Sequence, residues 1–187
     1  MNKEGMEKCL IEHCAPTLAG MKCASLFSYF HSSETIAGEE VKQLNYLLNP
    51  KGVHIDVLTW RKESALVYVY RRTMLEEELA DTGVSELLKI YGYESCEIDS
   101  CIRRLKYRIE NGSEFPHEIG VFLGYPLEDV YGFIRNKGRN CASCGMWKVY
   151  CNKAEKDKLF KKYKKCKDMY LQVFLAGREF ARMTVCT

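Results

Sequence analysis

Cys141 and Cys144, in the run NCASCGMWKVY, are the pair whose residue type and spacing could most directly do chemistry. Two thiolates separated by two residues can bind one ion, and the glycine that follows tolerates the turn that aims backbone N–H groups at sulfur. A zinc ribbon has two such knuckles, and this chain has one. A closed site would therefore recruit distant groups: Cys151 and Cys166 follow at spacings of seven and fifteen, and Cys14 or His13 would arrive from the N-terminal region. The ion would be zinc or iron. A thioredoxin-like redox pair fits less well, because that motif opens a helix after a strand and this one precedes a strand.

Other catalytic patterns are missing. The chain has no Gly-rich phosphate loop, no Gly-x-Ser-x-Gly and no His-Glu-x-x-His. His31, His54 and His117 are scattered, and Glu76, Glu77 and Glu78 read as a solvent-facing charge run. His13 beside Cys14 could raise a thiolate's population in a nucleophilic pair, but adjacent residues on a helix point apart, which disfavours that reading. The aromatic residues Tyr68, Tyr70, Tyr125, Tyr131, Trp147 and Tyr150 fall near the expected sheet and turn. They suit either a core or a pocket for a flat cofactor such as flavin or haem, the latter with a Cys or His axial ligand.

Eight lysines lie between Lys153 and Lys167 against Glu155 and Asp157. They read first as a solvated helix face and second as a track for phosphates. PHEIGVFLG and PLEDVYGFIRNKG have the outline of a helix-turn-helix, but Glu128 and Asp129 would stand where a recognition helix meets phosphates. Like charge argues against nucleic acid.

The elements that must position these groups follow from periodicity. A helix is expected from Lys3 to His13 on Met6, Cys9, Leu10 and His13, ended by Ala15-Pro16-Thr17. The run from Ala24 to Phe30 reads as a buried strand, and Glu34 to Leu48 as a helix closed by Asn49-Pro50-Lys51-Gly52. Val53 to Trp60 and Ser64 to Arg71 form a β-hairpin. Helices are expected over Thr73 to Ala80, Val84 to Tyr91 and Ile98 to Ile109, the last with Cys101 on its buried side. Ile119, Phe122 and Leu123 suit a short helix; Pro126 opens another, with Glu128 and Asp129 complementing its dipole and Gly138 at its end. Met146 to Cys151 is expected as a strand, and Asn152 as the cap of a long helix to about Arg182, with Leu159, Tyr163, Cys166, Tyr170, Phe174, Gly177 and Phe180 on its seam.

These elements define a single α+β domain over residues 1–187, a small, mostly antiparallel sheet covered by helices with a long C-terminal helix. A chain of 187 residues, 47% hydrophobic, can bury a core without staples. Its 28 Lys and Arg against 25 Asp and Glu leave a net charge of +3, too little to imply a polyanionic partner or a membrane. The N-terminus lacks the apolar centre of a signal peptide and no apolar run is long enough to span a bilayer, so a soluble, cytoplasmic protein with no membrane partner is expected. Its ten cysteines would then be thiols, ligands or redox groups rather than disulfides.

The segments HEIGVFLGYPLEDVYGFI, NCASCGMWKVY and HCAPTLAGMKCASLFSY together resemble an uncharacterised bacterial family of about this length, a domain of unknown function. The resemblance covers nearly the whole chain and implies no activity. Its motifs contain Cys14 and Cys144; with Cys141 of the knuckle and Cys166 on the helix seam, these form the candidate ligand set. The function expected is a cysteine-centred metal-binding or redox accessory protein, the alternatives being a nucleic-acid-binding module or an interaction protein without chemistry.

Overall fold

The structure is a computed structural model that describes residues 5–186, so the Lys3 start of the first expected helix lies outside the described residues. The fold is α+β, and the chain divides into two compact units. One comprises residues up to Met74 together with Cys166 onward; the other runs from Leu75 to Lys165.

The first unit is built on a three-stranded antiparallel sheet of order β1-β3-β2, with β1 at Ala24–Phe30, β2 at Val53–Arg61 and β3 at Ser64–Arg71. Ala24 pairs with Tyr70 and Val53 with Arg71, and a bulge at Leu58 shifts the β2 register. Alternation places Phe27, Tyr29, Ile55, Val67 and Val69 in a core shared with helices α1 (Met6–Leu18) and α2 (Glu34–Leu48). Ser33 caps α2 by accepting from the Ile36 N–H.

α1 does not stop where sequence suggests. Pro16 sits inside its last turn, where it forfeits only its own N–H bond, while Ala19 N–H donates to Ala15 O and Met21 N–H to Pro16 O. The buried face consequently carries Leu10, Ile11, Cys14 and Leu18; Cys9 is half-buried against the core and His13 turns outward to stack on Phe27 at 5.1 Å. At the β2 edge, Asn45 of α2 brackets Ile55, its amide donating to Ile55 O and accepting from Ile55 N–H, both at 2.8 Å.

The second unit holds most of α3 (Arg72–Ala80), then α4 (Thr82–Ile90), α5 (Ile98–Asn111), α6 (Ile119–Phe122) and α7 (Leu127–Asn136). Asp81 caps α4 through the Val84 N–H, and α5 buries Ile98, Cys101, Ile102 and Leu105 as expected. Two short strands, β4 (Ser143–Cys144) and β5 (Lys148–Val149), pair antiparallel. The strand expected over Met146 to Cys151 is thus cut short, because the N–H groups of Tyr150 and Cys151 donate to the Asp129 carboxylate instead of a neighbouring strand.

Helix α8 (Lys153–Leu175) begins in this unit and ends in the other. It stops well before Arg182. Gly177 adopts φ 89°, and the N–H groups of Gly177 and Arg178 return to Phe174 O and Val173 O, closing the helix as a left-handed C-terminal turn does. A 3-10 turn, Phe180–Met183, then carries Phe180 and Met183 into the first unit's core. Among the described residues, no helix is long and apolar enough to cross a membrane.

Candidate functional site

The knuckle, the Gly-Tyr-Pro turn and the start of α7 enclose a cavity of about 350 Å³ within the second unit. Its construction begins with two buried acids. Glu118, with no exposed surface, accepts from the Tyr93 hydroxyl at 3.2 Å and from the Arg108 guanidinium, which fixes the entry to α6 and its neighbours His117 and Ile119. Burial, reinforced by the Glu118 charge, pushes the Tyr93 hydroxyl well above the usual phenol range, so it remains a donor.

Asp129, the second acid, is 2% exposed. Its carboxylate accepts from Trp147 Nε1 at 2.8 Å, Tyr150 N–H at 2.7 Å and Cys151 N–H at 3.1 Å. These bonds fasten the β4–β5 hairpin to α7. Asp129 thus stands in the first turn of α7, as expected for an acid that complements the dipole, and is in addition a buried structural hub; Glu128 beside it is exposed.

Trp147, held by that bond, stacks on Tyr125 with centroids 4.6 Å apart and meets the edge of Phe160 at 4.6 Å. Phe160 in turn lies against Gly145, where an added Cβ would stand 2.3 Å from the ring. The glycine of the CASCG run thus serves close packing; its φ is not positive, and no turn that aims N–H groups at sulfur requires it. Gly132 does the same for Tyr150, 2.4 Å from an added Cβ. The walls of the cavity include Phe115, Tyr125, Phe133, Met146 and Trp147.

Four polar side chains join them: His117, Asp129, Cys144 and Lys148. Cys144 is exposed and pairs in register with Lys148, whose ammonium donates to Gly138 O at 2.7 Å and lies over the Phe133 ring. His117 is exposed and meets Phe133 edge-on at 5.0 Å. Burial raises the Tyr125 hydroxyl to about 12, leaving it a neutral donor rather than a base. The lining can hold an apolar, flat body and offer it one thiol and one imidazole.

The four candidate ligands are placed differently. Cys144 is exposed and Cys141 half-buried in the second unit; Cys14, fully buried, and Cys166, 9% exposed, belong to the first. Burial drives the Cys14 thiol far above the usual range, and raises Cys166 as well, so both are held as neutral thiols. Among the described residues, no group of three or more His, Cys, Asp and Glu side chains is arranged to hold a metal ion. Of the aromatic residues singled out by sequence, Tyr125 and Trp147 line the cavity, whereas Tyr68 and Tyr70 lie in the other unit. Sequence reasoning missed His117, Phe115 and Phe133 as wall residues; their grouping depends on the turn after α6. Of the lysines on α8, Lys153, Lys158, Lys161, Lys162, Lys164, Lys165 and Lys167 stand exposed, as a solvated face requires.

What the fold and site define is an α+β protein with an aromatic-walled cavity and a thiol at its rim. The chain belongs to the family described as a protein of unknown function, DUF3793, whose model matches residues 10–184 and so runs through both compact units. None of the curated proteins and none of the solved structures compared with it matches.

Proposed function

We propose that this protein is a thiol-bearing accessory protein whose second unit binds a flat, conjugated small molecule of the flavin or haem kind. One observation carries the reading: a cavity of about 350 Å³, within the range of small-molecule sites, whose walls include the aromatic side chains of Phe115, Tyr125, Phe133 and Trp147 and whose rim bears Cys144 and His117. Aromatic walls favour a planar ring by stacking and by removing it from water. Asp129 also lines the cavity, its carboxylate engaged by three donors that hold the Trp147 wall in place.

The cysteine-centred reading narrows to Cys144 in this scheme. A zinc or iron ion held by Cys14, Cys141, Cys144 and Cys166 would need four sulfur atoms in one coordination sphere. Haem brings iron in its own ring and asks the protein for an axial ligand, which Cys144 or His117 can supply. For a flavin, the same thiol would stand beside a redox-active ring.

Titration of the purified chain with riboflavin and with haemin, followed by quenching of tryptophan emission, tests this. Quenching that saturates, and that is lost in Trp147→Phe while Trp60 remains, is the expected result. Failure of both ligands to quench, or quenching unchanged in Trp147→Phe, removes the reading. A Cys144→Ser variant that shifts the haemin absorption band would assign the axial sulfur.

A further inference from the structure

The last helix turn and the segment after it form a second groove, of about 230 Å³, lying wholly within the first unit and sharing no residue with the aromatic cavity. Its position is fixed from below. Phe180 and Met183 are anchored in the core, Val185 N–H donates to Leu18 O, and Val185 O accepts from Arg71 at 2.9 Å. The groove is therefore a built surface rather than a loose tail.

Two features of its lining point to a ligand. Thr184 is 6% exposed, yet its hydroxyl is buried without any hydrogen-bond partner among the described residues. Folded proteins rarely leave such a group unsatisfied, because its bonds to water are lost and nothing replaces them. Beside it, Arg178 and Arg182 line the same groove; both are solvent-accessible, and Arg182 makes one exposed ion pair, 3.2 Å to Glu179. The rest of the wall is Tyr170 and the apolar side chains of Met169, Val173, Met183 and Val185.

Guanidinium forks match carboxylate and phosphate oxygens, and a threonine hydroxyl completes such a site as a donor. We propose that this groove binds a small amphiphile carrying one carboxylate or phosphate: the head meets Arg178, Arg182 and the Thr184 hydroxyl, and the apolar body lies on the methionine and valine side chains. The Glu179 carboxylate competes with the ligand for Arg182, so its removal strengthens binding.

The test is calorimetric titration of the full chain with octanoate, octyl phosphate, octanol and inorganic phosphate. Both octyl anions should bind, and octanol and inorganic phosphate each about tenfold or more weakly, since head and body both contribute. The stronger of the two octyl anions identifies the head group. Both arginines are on the surface, so R178Q/R182Q keeps the fold and should weaken the octyl anions about tenfold, with Thr184→Val weakening them about threefold and Glu179→Gln tightening them. Absence of binding by either octyl anion, equal binding of octanol, or unchanged affinity in R178Q/R182Q overturns the proposal.

Discussion

Arg71 and Asp129 are both buried charges that tie distant segments together through hydrogen bonds, and they serve different ends. Arg71, with no exposed surface, donates to Thr17 O, Leu18 O and Val185 O, tying the end of α1 and the segment beyond α8 to β3. Every one of these partners is a backbone carbonyl, and those of Thr17 and Leu18 stand at the C-terminal end of α1, where partners are otherwise scarce. Asp129 ties a hairpin to a helix in the same fashion, but one of its donors, Trp147, is a wall of the cavity. Each buried charge thus shapes the site that its own partners line: Trp147 for Asp129 in the aromatic cavity, Val185 for Arg71 in the groove of the first unit.

The comparison can be broken first at Arg71. Arg71→Leu strips three carbonyls of their donor and should cost roughly 3–5 kcal/mol of unfolding free energy in urea, with ligand affinity of the aromatic cavity unchanged wherever the variant is folded. Asp129→Asn keeps the shape and loses charge-assisted bonds. It should cost roughly 1–3 kcal/mol, and Trp147 emission should shift to the red while cavity binding weakens. An affinity loss in Arg71→Leu equal to that in Asp129→Asn would erase the distinction.

Lys22, a third buried charge, sharpens it through pH. Burial lowers its ammonium from 10.5 to about 8, with Cys14 and Cys23 acting to raise it, and it donates to Ala24 O. A folded value below the unfolded one means that the unfolded chain binds more protons between these two values, so this residue's contribution to stability grows as pH rises through the window. Lys22→Met removes that contribution. The stability difference between the wild type and the variant should therefore change by roughly 1–2 kcal/mol in favour of the wild type over the two pH units above 8. Reading the difference matters, because the raised Cys14 thiol opposes the trend in both proteins.

Elements with strong periodicity were legible in the sequence. β1, α2, the β2–β3 hairpin and α5 fall close to where alternation and helical spacing put them, and the α+β class follows. What escaped were the places where one group answers another far along the chain. Pro16 signals a helix stop, yet a proline in the final turn removes a single bond. Gly177 lies on the apolar spacing of α8, and its positive φ is what ends the helix. Asp129 looks like any acid in a first helical turn, because the indole and backbone donors that bury it come from the hairpin some twenty residues later.

The candidate site was legible in part for the same reason. Spacing picked out Cys144 and aromatic content picked out Tyr125 and Trp147, but spacing carries no information about which compact unit receives Cys14 or Cys166. Gly145 was noticed for turn chemistry, whereas the Phe160 ring above it is the constraint.

Asn45 has a consequence for self-association. β2 lies at one border of the sheet, where free amide groups would invite a strand from another molecule. By using both its amide hydrogen and its amide oxygen on Ile55, the asparagine mimics a neighbouring backbone for one residue and leaves an incoming chain nothing to pair with at that point. The sheet is thereby terminated by a side chain of its own covering helix.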